Sequence, residues 1–256
     1  LIFNSKMSRC IVLVCNKKYL SQFEYTYNLL QTTGKYNDDI VLVVGDDLKD
    51  LKYEGVIVKY FKNISFPENV IQQMNDVNTD GRNLTKRFQW HKLHIFQSYF
   101  KQWKWVLYID CGMKIYEDIS PFFSLCTNQK IVAHSDAYPT FEWKLKLQFD
   151  WDKQLHQTMC NRFNLNCNYF QTGMLLYDTD IIYPNTFHDL YELSCKYPIS
   201  RTNEQGILCL YFICIKDIWK EMKIKNNDLY FYDCFKRNND NSYIMTKHHC
   251  KANSYF

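Results

Sequence analysis

Trp105-Val106-Leu107-Tyr108-Ile109-Asp110-Cys111-Gly112 decides how the rest of the chain is read. Apolar residues run without alternation and stop on a carboxylate, a thiol and a glycine. An unbroken run of this length reads as a strand covered on both faces, as in a parallel sheet with crossover helices. Ligands of such sheets sit beyond the carboxyl ends of the strands. An aspartate there, with a small residue two positions on, can hold a hard cation and let a diphosphate approach closely. The alternative reading of Asp110 is a turn residue.

Working outward, apolar runs at 10–15, 40–44, 56–60, 131–133, 170–177 and 229–232 read as further strands. Helices are predicted at 19–30 (ended by Gly34), 84–100, 186–196 and 204–215. Within 84–100 the apolar residues Leu93, Phe96 and Phe100 recur at three- and four-residue steps, and Trp103 continues them. There is no linker and no internal repeat, so residues 1–256 read as a single α/β domain. Its mixed, mostly parallel, Rossmann-like sheet is flanked by helices. The stretch 138–168 departs from the pattern, being polar and aromatic with Trp143, Phe149 and Trp151. It reads either as a functional insertion or as a covering helix with a loop.

Composition narrows the class. In 256 residues, 31 Lys and Arg against 27 Asp and Glu leave a net charge of +4. That excludes a polybasic nucleic-acid module and an acidic tail. With 46% hydrophobic residues the chain can bury a large core, and 7 Gly and 5 Pro exclude collagen-like and low-complexity designs. No apolar run approaches the ~20 residues of a membrane span. A cytoplasmic protein is expected, and a lumenal one would need a targeting segment. The Lys-, Asn- and Tyr-heavy composition suggests an AT-rich genome, as of a large DNA virus or a protist. Eleven cysteines include no C-x-x-C pair, so neither a zinc ribbon nor a disulfide scaffold is expected. They read as incidental thiols of a reducing compartment. Asn63-Ile64-Ser65 and Asn83-Leu84-Thr85 have the form of glycosylation acceptors, but such tripeptides arise by chance in an Asn-rich chain.

Neither G-x-G-x-x-G nor G-x-x-x-x-G-K-[ST] occurs, which argues against a dinucleotide oxidoreductase and a P-loop phosphotransferase. A phosphate-bearing ligand would then be neutralised by a metal or by side chains. From Arg82 to Ile109 the chain carries six basic residues and no acid. Lys92 has Phe88 and Phe96 four residues to either side, so it reads as a pointed lysine or as a snorkelling one. His248 and His249 offer an imidazole to a metal begun on a carboxylate, and neighbours on a strand point apart, so one at most would serve. Should the chemistry need a carboxylate as general base, Asp136 and Glu204 are the candidates, and turn capping is an equal reading of Asp136.

Four ordered blocks resemble the GT-A glycosyltransferases of the glycogenin and family 8 type. Leu13-Val14-Cys15-Asn16-Lys17-Lys18-Tyr19 is similar to L-x-T-N-x-x-Y, with Cys15 for threonine. Lys92-Leu93, followed by Val106 to Gly112, is similar to K-L and then V-L-Y-x-D-x-D, with Gly112 where the second aspartate belongs. Phe170-Gln171-Thr172-Gly173-Met174 resembles F-N-S-G-V/M, and Glu204-Gln205-Gly206-Ile207-Leu208 resembles D-Q-G-L-L. His248 or His249 with Lys251 loosely resembles H-x-x-G-x-x-K, without its glycine.

The resemblance implies transfer of a sugar, with retention, from a nucleoside diphosphate sugar (UDP foremost) to a hydroxyl of a glycan, protein or small molecule. It implies a nucleobase cupped by Cys15, Asn16 and Tyr19, and a diphosphate met by Lys92 and Lys251. Asp110, Gly112, Gln171 and Gly173 would line the donor, and Glu204 and Gln205 would face its sugar. Mn²⁺ or Mg²⁺ would rest on Asp110 with His248 or His249, and 138–168 would lie on the acceptor side. Gly112 motivates the alternative, a protein that binds a nucleotide sugar or glycan without transfer. A nucleotidyltransferase would open on a glycine-rich loop, whereas the first strand here ends in Cys15-Asn16-Lys17-Lys18.

Overall fold

The computed structural model describes residues 8–77, 87–138 and 140–222, and the backbone of two later strands. The strands are β1 (Arg9–Cys15), β2 (Asp39–Val44), β3 (Ile57–Tyr60), β4 (Trp105–Ile109) and β5 (Met113–Ile115). They continue with β6 (Ile131–Ala133), β7 (Met174–Asp178), β8 (Trp219–Glu221), β9 (Leu229–Tyr232) and β10 (Tyr243–Lys247). The helices are α1 (Leu20–Gln31), α2 (Glu68–Val77), α3 (Gln154–Arg162), α4 (Thr186–Lys196) and α5 (Glu204–Cys209). A π-helical turn, Leu210–Ile215, continues α5.

Seven strands form one sheet in the order β3-β2-β1-β4-β7-β6-β8. β3, β2, β1 and β4 run parallel, and β7 runs antiparallel to both β4 and β6. The chain leaves β1 toward β2 and β3 and then returns to β1's other side as β4. The strand order therefore reverses at β1, where the carboxyl ends of β1 and β4 open a crevice.

Side chains alternate along each central strand, and both sets are buried. Cys10, Val12, Val106, Tyr108, Leu175 and Tyr177 face one core, shared with α4, α5 and the stretch 90–103. Ile11, Leu13, Leu107, Ile109, Met174 and Leu176 face a second core, shared with α1 and the stretch 119–126. Two cores account for the unbroken apolar runs, since no face of β1 or β4 meets water.

A three-stranded sheet stands beside the first, in the order β5-β10-β9. β10 runs antiparallel to β5, with Lys247 opposite Met113, so its end is delivered next to Gly112.

Some sequence expectations change. The helix predicted at 84–100 is, from Arg87 on, two 3-10 segments, Arg87–Phe96 and Ser98–Gln102. Every residue of 90–96 is buried, so no single stripe faces the core, and the polar His91, Lys92 and His94 are held by tertiary hydrogen bonds. The strand predicted at 170–177 begins only at Met174. Its forerunner turns its amides elsewhere, Gln171 N–H to His134 O and Thr172 N–H to Gln205 Oε1. The helix predicted at 204–215 widens to π geometry in its second half. The stretch 138–168 contains α3 and a short 3-10 turn, tied together by Leu145 N–H to Cys167 O at 3.0 Å and Lys146 N–H to Leu165 O at 2.9 Å. α2, β5, β8 and the 3-10 segment Ser120–Leu125 had no sequence expectation.

A candidate donor site at the ends of β1 and β4

Asp110 follows the last residue of β4, and its N–H donates to Gly173 O at 2.9 Å, which fixes the strand end against the loop entering β7. Its Oδ1 accepts the Tyr108 hydroxyl and lies 3.3 Å from Lys92 Nζ. The Lys92 ammonium also donates to Glu204 Oε1 at 2.8 Å, to Thr172 O at 3.1 Å and to Thr172 Oγ1 at 3.2 Å. It stands 5.1 Å from the centre of the Tyr108 ring. Burial works against the charge of Lys92, but Asp110 and Glu204 outweigh it and hold the ammonium above the ordinary lysine range. Burial, reinforced by Asp110, pushes the Tyr108 phenol well up, so it stays a donor.

Glu204 is the first residue of α5, and it follows Asn203, whose φ of 52° is rare for a side-chain-bearing residue. Asn203 is fixed by Ser200 Oγ donating to its carbonyl at 2.6 Å and by its own amide donating to Gln89 Oε1 at 2.5 Å. These anchors aim the Glu204 carboxylate inward. One oxygen meets Lys92, and the other, Oε2, is buried with no hydrogen-bond partner among the described residues. A buried acceptor of that kind is costly unless something else supplies a donor.

Gln205 accepts Thr172 N–H at 3.1 Å, and its amide donates to Gln148 Oε1 at 3.1 Å and to Asp136 Oδ2 at 3.3 Å. Gln148 also accepts the Thr202 hydroxyl at 2.6 Å. The carboxylates at Asp110, Asp136 and Glu204 are thus connected through Lys92, Thr172 and Gln205, and Gln148 braces Gln205. Sequence reasoning missed Gln148, which sits in a stretch without periodicity.

The other end of the crevice belongs to β1. Cys15 is fully buried, and its thiol donates to Asn16 O at 3.0 Å. Asn16 Oδ1 is buried without a partner among the described residues. Asn16 lines a cavity of about 390 Å³ together with Asp47, Asn63, Ile64, Arg87, Phe88 and His91. Phe88 and His91 are stacked with centroids 4.6 Å apart, and His91 Nε2 donates to Val44 O at 3.1 Å. Gly45 makes room for this wall, because a methyl group on it would lie 2.1 Å from Asn63 Oδ1 and 2.7 Å from Phe88. Tyr19 is more than a third exposed, at 38%, and its N–H donates to Asn16 O at 2.9 Å.

Gly112 has φ +87° and donates its N–H to Thr26 Oγ1 at 2.9 Å. That left-handed conformation disfavours an aspartate at this position. At Gly173 the bare Cα borders Asp110 Oδ2 and Gln171 Oε1, which would lie 3.5 and 3.6 Å from a methyl group placed there. Among the described residues no three His, Cys, Asp or Glu side chains converge as a metal site. One carboxylate, Asp110, follows β4, and β10 ends at Lys247, opposite Met113. His248, His249 and Lys251 lie outside the described residues. The structure brings together Lys92, Asp110, Gln171, Gly173, Glu204, Gln205 and Asp136 on one side and Cys15, Asn16 and Tyr19 on the other.

Sheet order, the antiparallel β7 and a crevice at the reversal point define the GT-A fold of glycosyltransferases. The particular likeness is to LgtC. A structure of an LgtC active-site mutant, glutamine to glutamate, matches with a TM-score of 0.58 at 12% identity, covering 94% of this chain and 87% of that one. A structure of the galactosyltransferase LgtC with donor and acceptor sugar analogues matches with a TM-score of 0.58 at 12% identity, covering 95% and 88%. No protein-family model and no curated protein matches the sequence. Among the described residues no helix is long and apolar enough to cross a membrane.

Proposed function

We propose that this protein transfers a sugar from a nucleoside diphosphate sugar, a UDP-sugar foremost, to a hydroxyl of a glycan, protein or small molecule. The observation that carries the reading is the Lys92–Asp110–Glu204 group at the crevice of a GT-A fold, with Lys92 and Glu204 buried, Asp110 partly exposed and Glu204 Oε2 without a donor among the described residues. A hydroxyl of the donor sugar would satisfy that oxygen. The nucleobase would take the cavity beside Asn16, with Tyr19 at its rim.

Lys92 would do more than meet the diphosphate, as its motif implies. Its ammonium contacts Glu204, Asp110 and Thr172, so it would also position the two carboxylates. Asp110, with His248 or His249, would hold Mn²⁺ or Mg²⁺. A bound cation would neutralise the charge that develops on the leaving diphosphate. Gln205, uncharged and fixed by Thr172 and Gln148, would lie against the sugar. The likeness to LgtC is in keeping with this, since a glutamine is an active-site residue in that protein.

Retention of configuration requires no strong base, and Asp136 would become the base only for inversion. NMR of the product linkage distinguishes the two; an inverted linkage would reassign Asp136 from positioning Gln205 to deprotonating the acceptor. Gly112 favours a second reading, a binding protein without transfer, because its backbone disfavours the second acid. Melting with UDP-, GDP- and CMP-sugars, each with and without Mn²⁺, tests the proposal. Stabilisation by one nucleotide class, followed by product formation, supports transfer. Stabilisation without product supports the second reading, and no stabilisation by any of them defeats both.

A further inference from the structure

Large apolar side chains are exposed at Phe141, Trp143, Leu147 and Trp151, all within the stretch 138–168. Trp151 is the one that the backbone ties to the crevice. Phe149 pairs antiparallel with Ser200, and both are buried. On either side of that bridge, Asp150 N–H donates to Ile199 O at 2.9 Å and Arg201 N–H to Gln148 O at 2.8 Å. This short ribbon carries Gln148, whose side chain accepts the Gln205 amide at 3.1 Å, and Trp151 follows its end. Three residues of backbone reach at most about 10 Å, so Trp151 stays that close to Gln148.

The indole is held in place. The Arg201 guanidinium carbon lies 4.5 Å from the centre of the Trp151 ring. A cation stacked in this way covers one face of a ring. Trp151 is nevertheless 54% exposed, so much of its surface remains open. A cavity of about 260 Å³ opens on the same two stretches, lined by Lys153, Gln154, Leu155 and Ile199 with Gln73 from α2. Its lining combines two aliphatic side chains with two amides and an ammonium, which can hydrogen-bond a ligand. We propose that Trp151 and Arg201, with this cavity, form a carbohydrate subsite that holds an oligosaccharide acceptor whose end unit reaches Gln205. The acceptor role rests on the sugar-transfer reading; the carbohydrate site itself does not.

The chemistry favours a sugar over other occupants. A pyranose ring presents C–H groups on its faces and hydroxyls around its edge. Such a face packs on an indole, whose π surface is electron-rich. The edge hydroxyls then find donors in Arg201 and Lys153 and acceptors in the carboxylates of Asp150 and Asp152. A ring and cation already stacked spare the complex the cost of ordering them. A lipid surface fits less well. Asp150, Asp152, Lys153 and Arg201 sum to no net charge, so anionic lipid gains nothing from them, and a bilayer would have to dehydrate both carboxylates.

The experiment applies the full chain, without nucleotide, to a printed array of neutral and uronic-acid-bearing oligosaccharides, and titrates the captured ones by calorimetry. Expected is binding of one class of oligosaccharide in preference to its monosaccharide units. Trp151→Ala should weaken that binding roughly tenfold or more, and Trp151→Tyr should restore most of it. Arg201→Ala frees the ring without touching the backbone ribbon and should weaken binding in the same direction. Melting shifts with nucleotide sugars should be equal in these variants and the unaltered chain. With an oligosaccharide acceptor, Trp151→Ala should raise KM and leave kcat nearly unchanged; an unchanged KM overturns the acceptor role. Trp151-dependent glycan binding without any stabilisation by nucleotide sugars keeps the carbohydrate site and defeats sugar transfer instead. Capture of no glycan, equal binding by Trp151→Ala, or an equal loss in Trp143→Ala overturns the proposal. So does Trp151-dependent sedimentation with phosphatidylserine vesicles in place of glycan binding. If Trp151→Ala fails to fold, Arg201→Ala decides.

Discussion

At the scale of single residues, Lys92 governs the crevice. Its Nζ is within 3.3 Å of two carboxylates while its side chain is 7% exposed. Lys92→Met would leave Asp110 and Glu204 facing each other without a counter-ion, at a cost of about 3–5 kcal/mol. Chemical denaturation should show that loss, together with the disappearance of sugar transfer. Asp110→Asn makes a sharper test. It retains the Tyr108 contact and much of the stability, yet turnover should fall by roughly 10²-fold or more. Near-normal transfer by that variant would remove Asp110 from the donor site. The sequence left Lys92 poised between a pointed and a snorkelling side chain. Its partners, Thr172 and Glu204, lie 80 and 112 residues away, and no local pattern announces contacts of that span. Gly112 was legible as a departure, whereas its positive φ, which makes the departure intelligible, was not.

Two buried histidines set a pH dependence. Burial lowers His91 from 6.5 to about 4 and His94 to about 3, the latter also through His91. Between those values and 6.5 the unfolded chain binds protons that the folded chain refuses. Stability is therefore full above pH 6.5 and falls as the pH drops through that window, by about 3 kcal/mol for His91 alone. Urea midpoints at pH 7.5 and pH 5 should differ in that direction. Equal midpoints would mean that the folded protein protonates these rings without penalty.

At the scale of elements, the central strands were readable because both faces are covered, which leaves runs such as Ile11-Val12-Leu13 with no polar interruption. The strand at 131–133 and the helix at 186–196 sit where their patterns put them. The 3-10 stretch Arg87–Phe96 was misread because residues buried all round mimic the steps of an amphipathic helix. α2 does carry a legible stripe, Val70, Met74 and Val77, but without a cap to open it. β5 and β8 are three residues each, as is β6, but charged residues (Lys114, and Lys220 with Glu221) break the apolar run that marked β6.

α5 offers the element-level test. A methyl group on Gly206 would lie 2.6 Å from Ser200 Oγ and 3.4 Å from the Phe149 ring. Ser200 Oγ is not free to swing aside, since it donates to Asn203 O at 2.6 Å and so helps aim Glu204. Gly206→Ala should cost about 1–3 kcal/mol by overpacking. It should also weaken donor binding, measured by calorimetry, beyond what a surface Gly→Ala change does. A neutral outcome in both would mean that Ser200 and Asn203 do not position the acid.

At the scale of the whole molecule, the large sheet is complete by Glu221, and the described core residues lie between Cys10 and Met222. What remains is the small sheet, whose β10 lies against β5 and ends beside the Asp110 crevice. A chain stopped after Met222 should keep the far-ultraviolet signature of the large sheet but lose stabilisation by nucleotide sugar. Stabilisation equal to that of the full chain would show that β10 contributes nothing to the donor site. The overall class was legible because it rests on strand burial and on blocks in fixed order. Of the small sheet only β9, at 229–232, was legible, since β5 joins a strand more than a hundred residues further along the chain.

The placement of β10 has a consequence for the protein's birth. The ribosome delivers the large sheet first, and β10, which ends opposite Met113, emerges after every other described element. A nascent chain can thus complete the large sheet before β10 joins β5. The small sheet would then form in a separate, later event, and a chain caught between the two would carry a finished large sheet beside an unaccompanied β5.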